Sequence, residues 1–292
     1  MIKRKIFFIY LKTIKLIRSL FGYLFHQMNN IILYLFKGSY AEVRGHKMFL
    51  DLNDTNEILS NLQEEYSLDI LKEHINKGDI VIDIGACIGI YTLEMAKLVG
   101  GNGRVIAFEP LKEAFYLLKK NIEINNYEGR VKIQQKGLLD KVGKATLFYH
   151  PYHIGASKLV DDLECREKRE TETISLDEFF KNNHSKISFI KMDADGSEYL
   201  ILQGASEVLK RTNKMLVEFV PGNIQVQGIT PKEYLDLIKS YGFKIYSVND
   251  KERKLESGEL DYLMSLFKNK KKSGLAGYVN LLCVKDKKIN GR

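Results

Sequence analysis

Hydrophobic positions from residue 80 onward fall into two alternating patterns. Short runs without polar alternation predict buried strands at Ile80–Ile84, Arg104–Phe108, Val131–Gln134, Ile187–Met192, Lys214–Phe219, Phe243–Ser247 and Tyr278–Val284. Between them, spacings of three and four predict helices at Tyr91–Leu98, Glu113–Ile124, Glu198–Leu209 and Pro231–Tyr241. An earlier strand or hairpin is predicted over Gly45–Leu52, a helix over Tyr66–Ile75 and an extra strand over Ala145–Tyr149. The polar stretch Asp161–Glu172 reads as an exposed loop, and Asn249–Gly277 carries no clear period. Alternating strands and helices build a mostly parallel sheet covered on both faces. The missing crossover helix before the last strand predicts that this strand runs antiparallel.

A different pattern occupies the N-terminus. Phe7, Ile14, Phe21, Met28 and Leu35 recur every seven residues, with Tyr10, Ile17, Leu24 and Ile31 between them. This predicts a helical arm over residues 1–41, followed by one α/β domain over 42–292. Lys12 and Lys15 interrupt the apolar run, which argues against a signal peptide, and His26, Gln27, Asn29 and Asn30 argue against a membrane span. Two readings fit the arm: a helix packed on the body or on a second subunit, and an in-plane membrane contact through residues 1–36.

Charge sharpens this division. The arm holds seven basic residues and no acidic one, so it accounts for +7 of the net +8 and the domain for +1. A nearly neutral domain argues against a nucleic-acid partner, whose enzyme would carry its basic patch beside the chemistry. Cys87, Cys165 and Cys283 lie far apart, without metal-ligand spacing. Neither zinc nor a disulfide framework is expected, and the chain reads as cytoplasmic, with peripheral attachment at the inner membrane face if the arm meets lipid.

The candidate chemistry lies at strand ends. The first strand of the alternating series runs into Asp83-Ile84-Gly85-Ala86-Cys87-Ile88-Gly89, a GxxxG spacing that differs from the GxGxxG of dinucleotide enzymes. The second ends in Phe108-Glu109-Pro110, and Glu109 stands where an acidic side chain can accept hydrogen bonds from both ribose hydroxyls. The strand over Ile187–Met192 leads into Asp193-Ala194-Asp195-Gly196, and Glu218 ends the next one.

The strings VIDIGACIGIYTL, RVIAFEP, SFIKMDADGSEYLILQGA and LVEF, in that order, resemble FkbM methyltransferases. The resemblance implies a Rossmann-like class I methyltransferase fold, S-adenosyl-L-methionine as cofactor, and O-methylation of a sugar hydroxyl in a glycan, glycolipid or natural product. Asp83, Gly85, Ala86 and Gly89 match the first motif and Glu109 and Pro110 the second; these six are the expected cofactor-binding residues. Lys191, Asp193, Gly196 and Glu198 match the third motif. Cys87 stands where asparagine is common, and Asp195 where glutamate is common.

A sugar hydroxyl needs a base to take its proton. Asp193 is the first candidate, with Glu218 beside it and His153 in an overhanging loop that includes Gly155-Ala156-Ser157. Asp195 and Glu198 are expected in the same crevice. Such a carboxylate cluster is read as a metal-free network, with a divalent cation as the alternative. The expected partner is a small-molecule or glycan acceptor. An NAD-dependent sugar oxidoreductase or epimerase and a non-catalytic membrane-surface adaptor remain as competing functions, and the oligomeric state is left open.

Overall fold

A computed structural model describes residues 40–51, 65–151, 154–161, 165, 167–273 and 277–285. The helical arm and His153 lie outside these residues. Strands β1 (Ala41–Val43) and β2 (His46–Met48) form a hairpin that starts earlier than expected, at the last residue assigned to the arm. Arg44 and Gly45 both take positive φ in its turn, the conformation that matches strand twist in a two-residue hairpin. Helix α1 (Glu65–His74) follows, then β3 (Ile80–Ile84), α2 (Ile90–Val99), β4 (Arg104–Phe108), α3 (Lys112–Ile124) and β5 (Val131–Gln134). Next come β6 (Gly137–Leu138), β7 (Gly143–Tyr149), a short turn of 3-10 helix at Ile154–Ala156, β8 (Glu167–Ile174) and α4 (Leu176–Phe179).

The second half holds β9 (Phe189–Met192), α5 (Glu198–Gln203), α6 (Ser206–Lys210), β10 (Lys214–Phe219), α7 (Pro221–Val226) and α8 (Pro231–Ser240). It closes with β11 (Phe243–Asn249), β12 (Lys254–Ser257), α9 (Leu260–Ser273) and β13 (Val279–Lys285). Eight strands form one sheet in the order β12-β11-β13-β10-β9-β3-β4-β5. Pairing is parallel from β5 through β10, and β13 runs antiparallel between β10 and β11, as the sequence predicts.

The two faces of the sheet carry separate cores because successive strand residues point to opposite sides. Val81, Val105, Ala107, Phe189 and Leu216 pack under α1, α2 and α3. Ile82, Ile84, Ile106, Phe108, Ile190, Met192 and Val217 pack under α5, α6, α8 and α9. Helix α3 shows why its sequence folds this way: Ala114, Leu118, Asn121 and Ile122 recur on one buried face. Helix α8 starts at a capping box, Thr230 with Glu233, and Pro231 occupies its first turn, where no backbone donor is needed.

Three predicted segments are corrected. The second half of the stretch read as an exposed loop over Asp161–Glu172 belongs to β8, which joins β6 and β7 in a separate three-stranded sheet. Its Glu-Lys-Arg-Glu-Thr-Glu-Thr run is largely exposed, so no apolar alternation marks it. The helix expected over Glu198–Leu209 is two helices, parted at Gly204-Ala205. A Cβ at Gly204 would lie 2.5 Å from the Leu139 carbonyl, so the backbone is pressed against the β6 end there. The aperiodic stretch before the last strand contains β12 and α9, which returns the chain to the sheet.

Candidate active site

The chain leaves β3 towards β4 and β5 on one side, then crosses to β9 on the other, and ligands bind at such a switch point in open α/β sheets. Here it holds a cavity of about 420 Å³, lined by the carboxyl ends of β3, β4, β9 and β10 and by the loop around Ile154–Leu159.

The glycine loop forms one wall. Gly85 takes φ 70°, and a Cβ there would lie 1.6 Å from the Asp193 carbonyl oxygen. No side chain fits, because the β3 and β9 loops touch through backbone. The amides of Gly85 and Ala86 both donate to the Phe108 carbonyl, which ties the loop to β4. Gly89 takes φ 99°, and a Cβ there would come within 2.6 Å of Leu118 on α3.

Glu109 stands at the end of β4, only 6% exposed. Its two carboxylate oxygens accept from the amides of Cys87 (2.9 Å) and Leu111 (2.7 Å). Burial pushes its pKa up to about 7, against the pull of those two amides. Each oxygen keeps lone-pair capacity for a second donor, which suits a ribose diol. Ala86 and Pro110 also line the cavity.

Asp83 takes a different place. It is fully buried, is not among the lining residues, and accepts from the Thr92 hydroxyl of α2. Its other oxygen has no hydrogen-bond partner among the described residues. Burial raises its pKa, with Lys191 opposing that rise. Asp83 and Lys191 are register partners on adjacent parallel strands, so their side chains leave the same face of the sheet.

Lys191 is itself buried, and its Nζ lies 3.1 Å from Asp193 Oδ2, 3.4 Å from the Gly85 carbonyl and 4.8 Å from the Tyr91 ring centre. It therefore pairs a carboxylate and orders the strand end. Asp193 keeps about a third of its side chain exposed and lines the cavity together with Asp195 and Glu218. Glu198 does not join them. It turns back and accepts from the amides of Ala194 (2.7 Å) and Gly196 (2.8 Å), clasping the loop that presents Asp193 and Asp195. Burial pushes Glu198 up to about 7, opposed by these amides.

Gly155, Ala156 and Ser157 line the cavity as the predicted overhanging loop, joined by Lys158. His150 lies outside the lining set, and its amide donates to Ser157 Oγ (3.2 Å). Sequence reasoning missed Tyr91, Lys136, Asn223 and Tyr278, which also face the cavity. It missed Asn121 as well, whose side chain binds both backbone groups of Phe49 and the Ile88 carbonyl. Only Asn121 left a signal, a polar residue on the apolar stripe of α3.

A doubly wound sheet with a glycine-walled cavity and an acidic residue ending its second parallel strand defines a nucleoside-cofactor-binding α/β protein. Residues 83–245 match the methyltransferase FkbM domain, and the chain belongs to that family. It is 30% identical over 172 residues to the methyltransferase sdnD of Sordaria araneosa, covering 57% of each chain. It is 26% identical over 202 residues to the hexuronic acid methyltransferase AglP of Haloferax volcanii, covering 68% of this chain and 78% of that one. The chain thus spans little more than half the length of sdnD. Among solved structures, an S-adenosylmethionine-dependent O-methyltransferase of Thermotoga maritima aligns with a TM-score of 0.43 and 13% identity, covering 89% of this chain and 83% of that one.

Membership assigns S-adenosylmethionine as the cofactor. The residues fit it: the buried Glu109 carboxylate would hold the ribose, the glycine wall would admit close backbone approach, and the acidic groups lining the cavity would suit a cationic sulfonium.

Proposed function

We propose that this protein transfers a methyl group from S-adenosylmethionine to an oxygen of a carbohydrate-type acceptor, a hydroxyl of a glycan, glycolipid or sugar-bearing natural product. One observation carries the reading: a single cavity joins Glu109 on one wall to the Lys191-paired Asp193 on another, with Glu218 at its edge. The hexuronic acid named for the Haloferax relative supports a sugar acceptor.

When bound, the cofactor supplies an activated methyl group on a positively charged sulfur. Glu109 would hold the ribose hydroxyls, and Gly85 and Ala86 would let the backbone approach. Asp193 would accept the proton of the attacking hydroxyl as the carbon–oxygen bond forms and the carbon–sulfur bond breaks. Lys191 pairs with Asp193 at 3.1 Å and fixes its direction. Glu218 would receive a neighbouring hydroxyl of the acceptor. Pre-aligning the two reactants is the remaining contribution the protein makes to a displacement of this kind.

The test is calorimetric titration of the full chain with S-adenosylmethionine and, separately, with NAD. Binding of the sulfonium cofactor that is lost in Glu109→Ala supports the reading. Binding of NAD alone would overturn it. The division into an arm over residues 1–41 and a catalytic domain over 42–292 belongs to the same proposal, with the arm as a contact for anionic lipid. Removing residues 1–39, which spares Ala41 of β1, should then leave cofactor affinity unchanged and abolish sedimentation with phosphatidylglycerol vesicles.

A further inference from the structure

Three carboxylates, Asp193, Asp195 and Glu198, fall within six residues of one loop and helix start, and one buried cation serves them. That cation, Lys191, is committed to Asp193. Glu198 is committed to two backbone amides. Asp195 has neither: among the described residues its side chain makes no hydrogen bond or ion pair, although it lines the cavity.

The loop holds it there rigidly. Asp195 takes φ 49° and Gly196 φ 107°, a pair of left-handed residues that turn the side chain out of the backbone's path. A Cβ at Gly196 would meet the Asn223 Cβ at 2.9 Å, and the Gln227 amide donates to the Gly196 carbonyl. With Glu198 accepting from the amides on both sides, the backbone that presents the Asp195 carboxyl is fixed.

The groups facing Asp195 are Asp193 and Glu198 from its own loop and helix, Lys191 from β9 and Lys158 from the overhanging loop. Glu218 adds a further acid on the cavity wall from β10, while α7 and its end present neutral Asn223 and Gln227. Carboxylates sharing a site resist ionising together; Lys191 is already paired with Asp193, and Lys158, which also faces Asp195, forms no ion pair with it.

We propose that Asp195 is the acceptor-orienting residue of this cavity, a carboxylic acid that keeps its proton at neutral pH and donates it in a hydrogen bond to an oxygen of the acceptor. The proposal deepens the methyl-transfer reading and rests on it for the identity of the partner. Its proton is held, not transferred: the proton of the methylated hydroxyl goes to Asp193, and the methyl group passes from sulfur to oxygen. Burial, then Asp193, then Glu198 raise the Asp195 pKa well above its ordinary value, in agreement with the geometry. A donor facing the acceptor half selects a substrate with an oxygen beside the reacting hydroxyl, such as a vicinal diol or a hexuronate carboxyl. It would reject a deoxy analogue, because the donor would then lose its acceptor.

The test uses the full chain labelled with carbon-13 at its aspartate carboxyls, titrated by NMR alongside Asp195→Asn and Asp193→Asn. Asparagine tolerates the left-handed conformation at 195, so that variant keeps its fold and assigns the signal. The expected result is an Asp195 signal that stays at the protonated position through neutral pH and moves to lower pH in Asp193→Asn. An Asp195 signal that titrates in the ordinary carboxylate range would overturn the proposal. Titration with S-adenosylmethionine runs in parallel. A chain that shows the held proton but binds no cofactor defeats the methyl-transfer reading alone, whereas normal cofactor binding with an ordinary Asp195 defeats the proposal alone.

Discussion

At the residue scale, function turns on positions where one atom more or less decides the outcome. Gly85 is the sharpest. A methyl group there would overlap the Asp193 carbonyl, and the left-handed backbone would be strained as well. Gly85→Ala should cost about 3 kcal/mol or more in urea unfolding and remove cofactor binding, because neither loop can retreat without moving its strand. Glu109→Ala strands the amides of Cys87 and Leu111 and would delete the two proposed charge-assisted ribose contacts. Calorimetry should show affinity for S-adenosylmethionine falling about 10- to 100-fold with little change in fold. For Asp193→Asn the expectation is a loss of about 100-fold or more in kcat with cofactor affinity nearly unchanged, since general-base catalysis is typically worth that much. A variant that loses cofactor affinity instead would move Asp193 from chemistry to binding.

Elements explain why those residues meet, and they also show where the sequence was readable. Strands β3, β4, β9 and β10 carry continuous apolar runs because both faces are buried, and such runs are legible. Their carboxyl ends therefore placed Gly85, Glu109, Asp193 and Glu218 correctly at one edge of the sheet. Strand β8 was illegible for the opposite reason. It is largely exposed, and its order rests on ladder bonds to β7 and on ion pairs such as Lys144–Glu170 and Arg169–Glu113. Pairs of that kind, between residues far apart in the sequence, leave no period in it. Asp83 shows a third limit: its place in the motif was clear, but its carboxylate is buried against Thr92 of α2, and the cavity lining begins one residue later at Ile84. Asn121 is where an element-scale prediction can be made. One side chain on α3 joins the β2 exit at Phe49 to the glycine loop at Ile88. Asn121→Ala strands three backbone groups, so urea unfolding should show a loss of about 2–4 kcal/mol. Hydrogen exchange at Phe49 should speed up more than exchange in β9, which the side chain does not touch.

At the scale of the whole molecule, the acidic groups divide by the sign of their response to pH. Asp69 and Glu94 lie low despite burial, which alone would raise them. Hydrogen bonds from Arg253, Lys72 and Arg44 outweigh burial for Asp69, and the neighbouring His46 ring, 3.7 Å away, together with the Arg44 hydrogen bond does so for Glu94. Their stabilisation is present above the ordinary carboxylate pKa and is lost as pH falls through the depressed values. Glu109 and Glu198 do the reverse. Each is pushed by burial from 4.5 up to about 7, so the folded chain binds protons that the unfolded chain has released. Their contribution is complete below about 4.5 and disappears as pH rises through about 7. Asp83 and Asp195, also raised, push in the same direction. The protein without cofactor should therefore gain stability, on the order of a few kcal/mol, on acidification from about pH 8 to about pH 5.5, and lose it again in stronger acid. Urea midpoints across that range give the measurement, and a flat profile between neutral and mildly acidic pH would refute the assignment. Glu198→Gln should flatten the neutral limb by removing one of the titrating groups. Adding S-adenosylmethionine should flatten it too, because ribose donors stabilise the ionised form of Glu109 and lower its pKa towards the ordinary value.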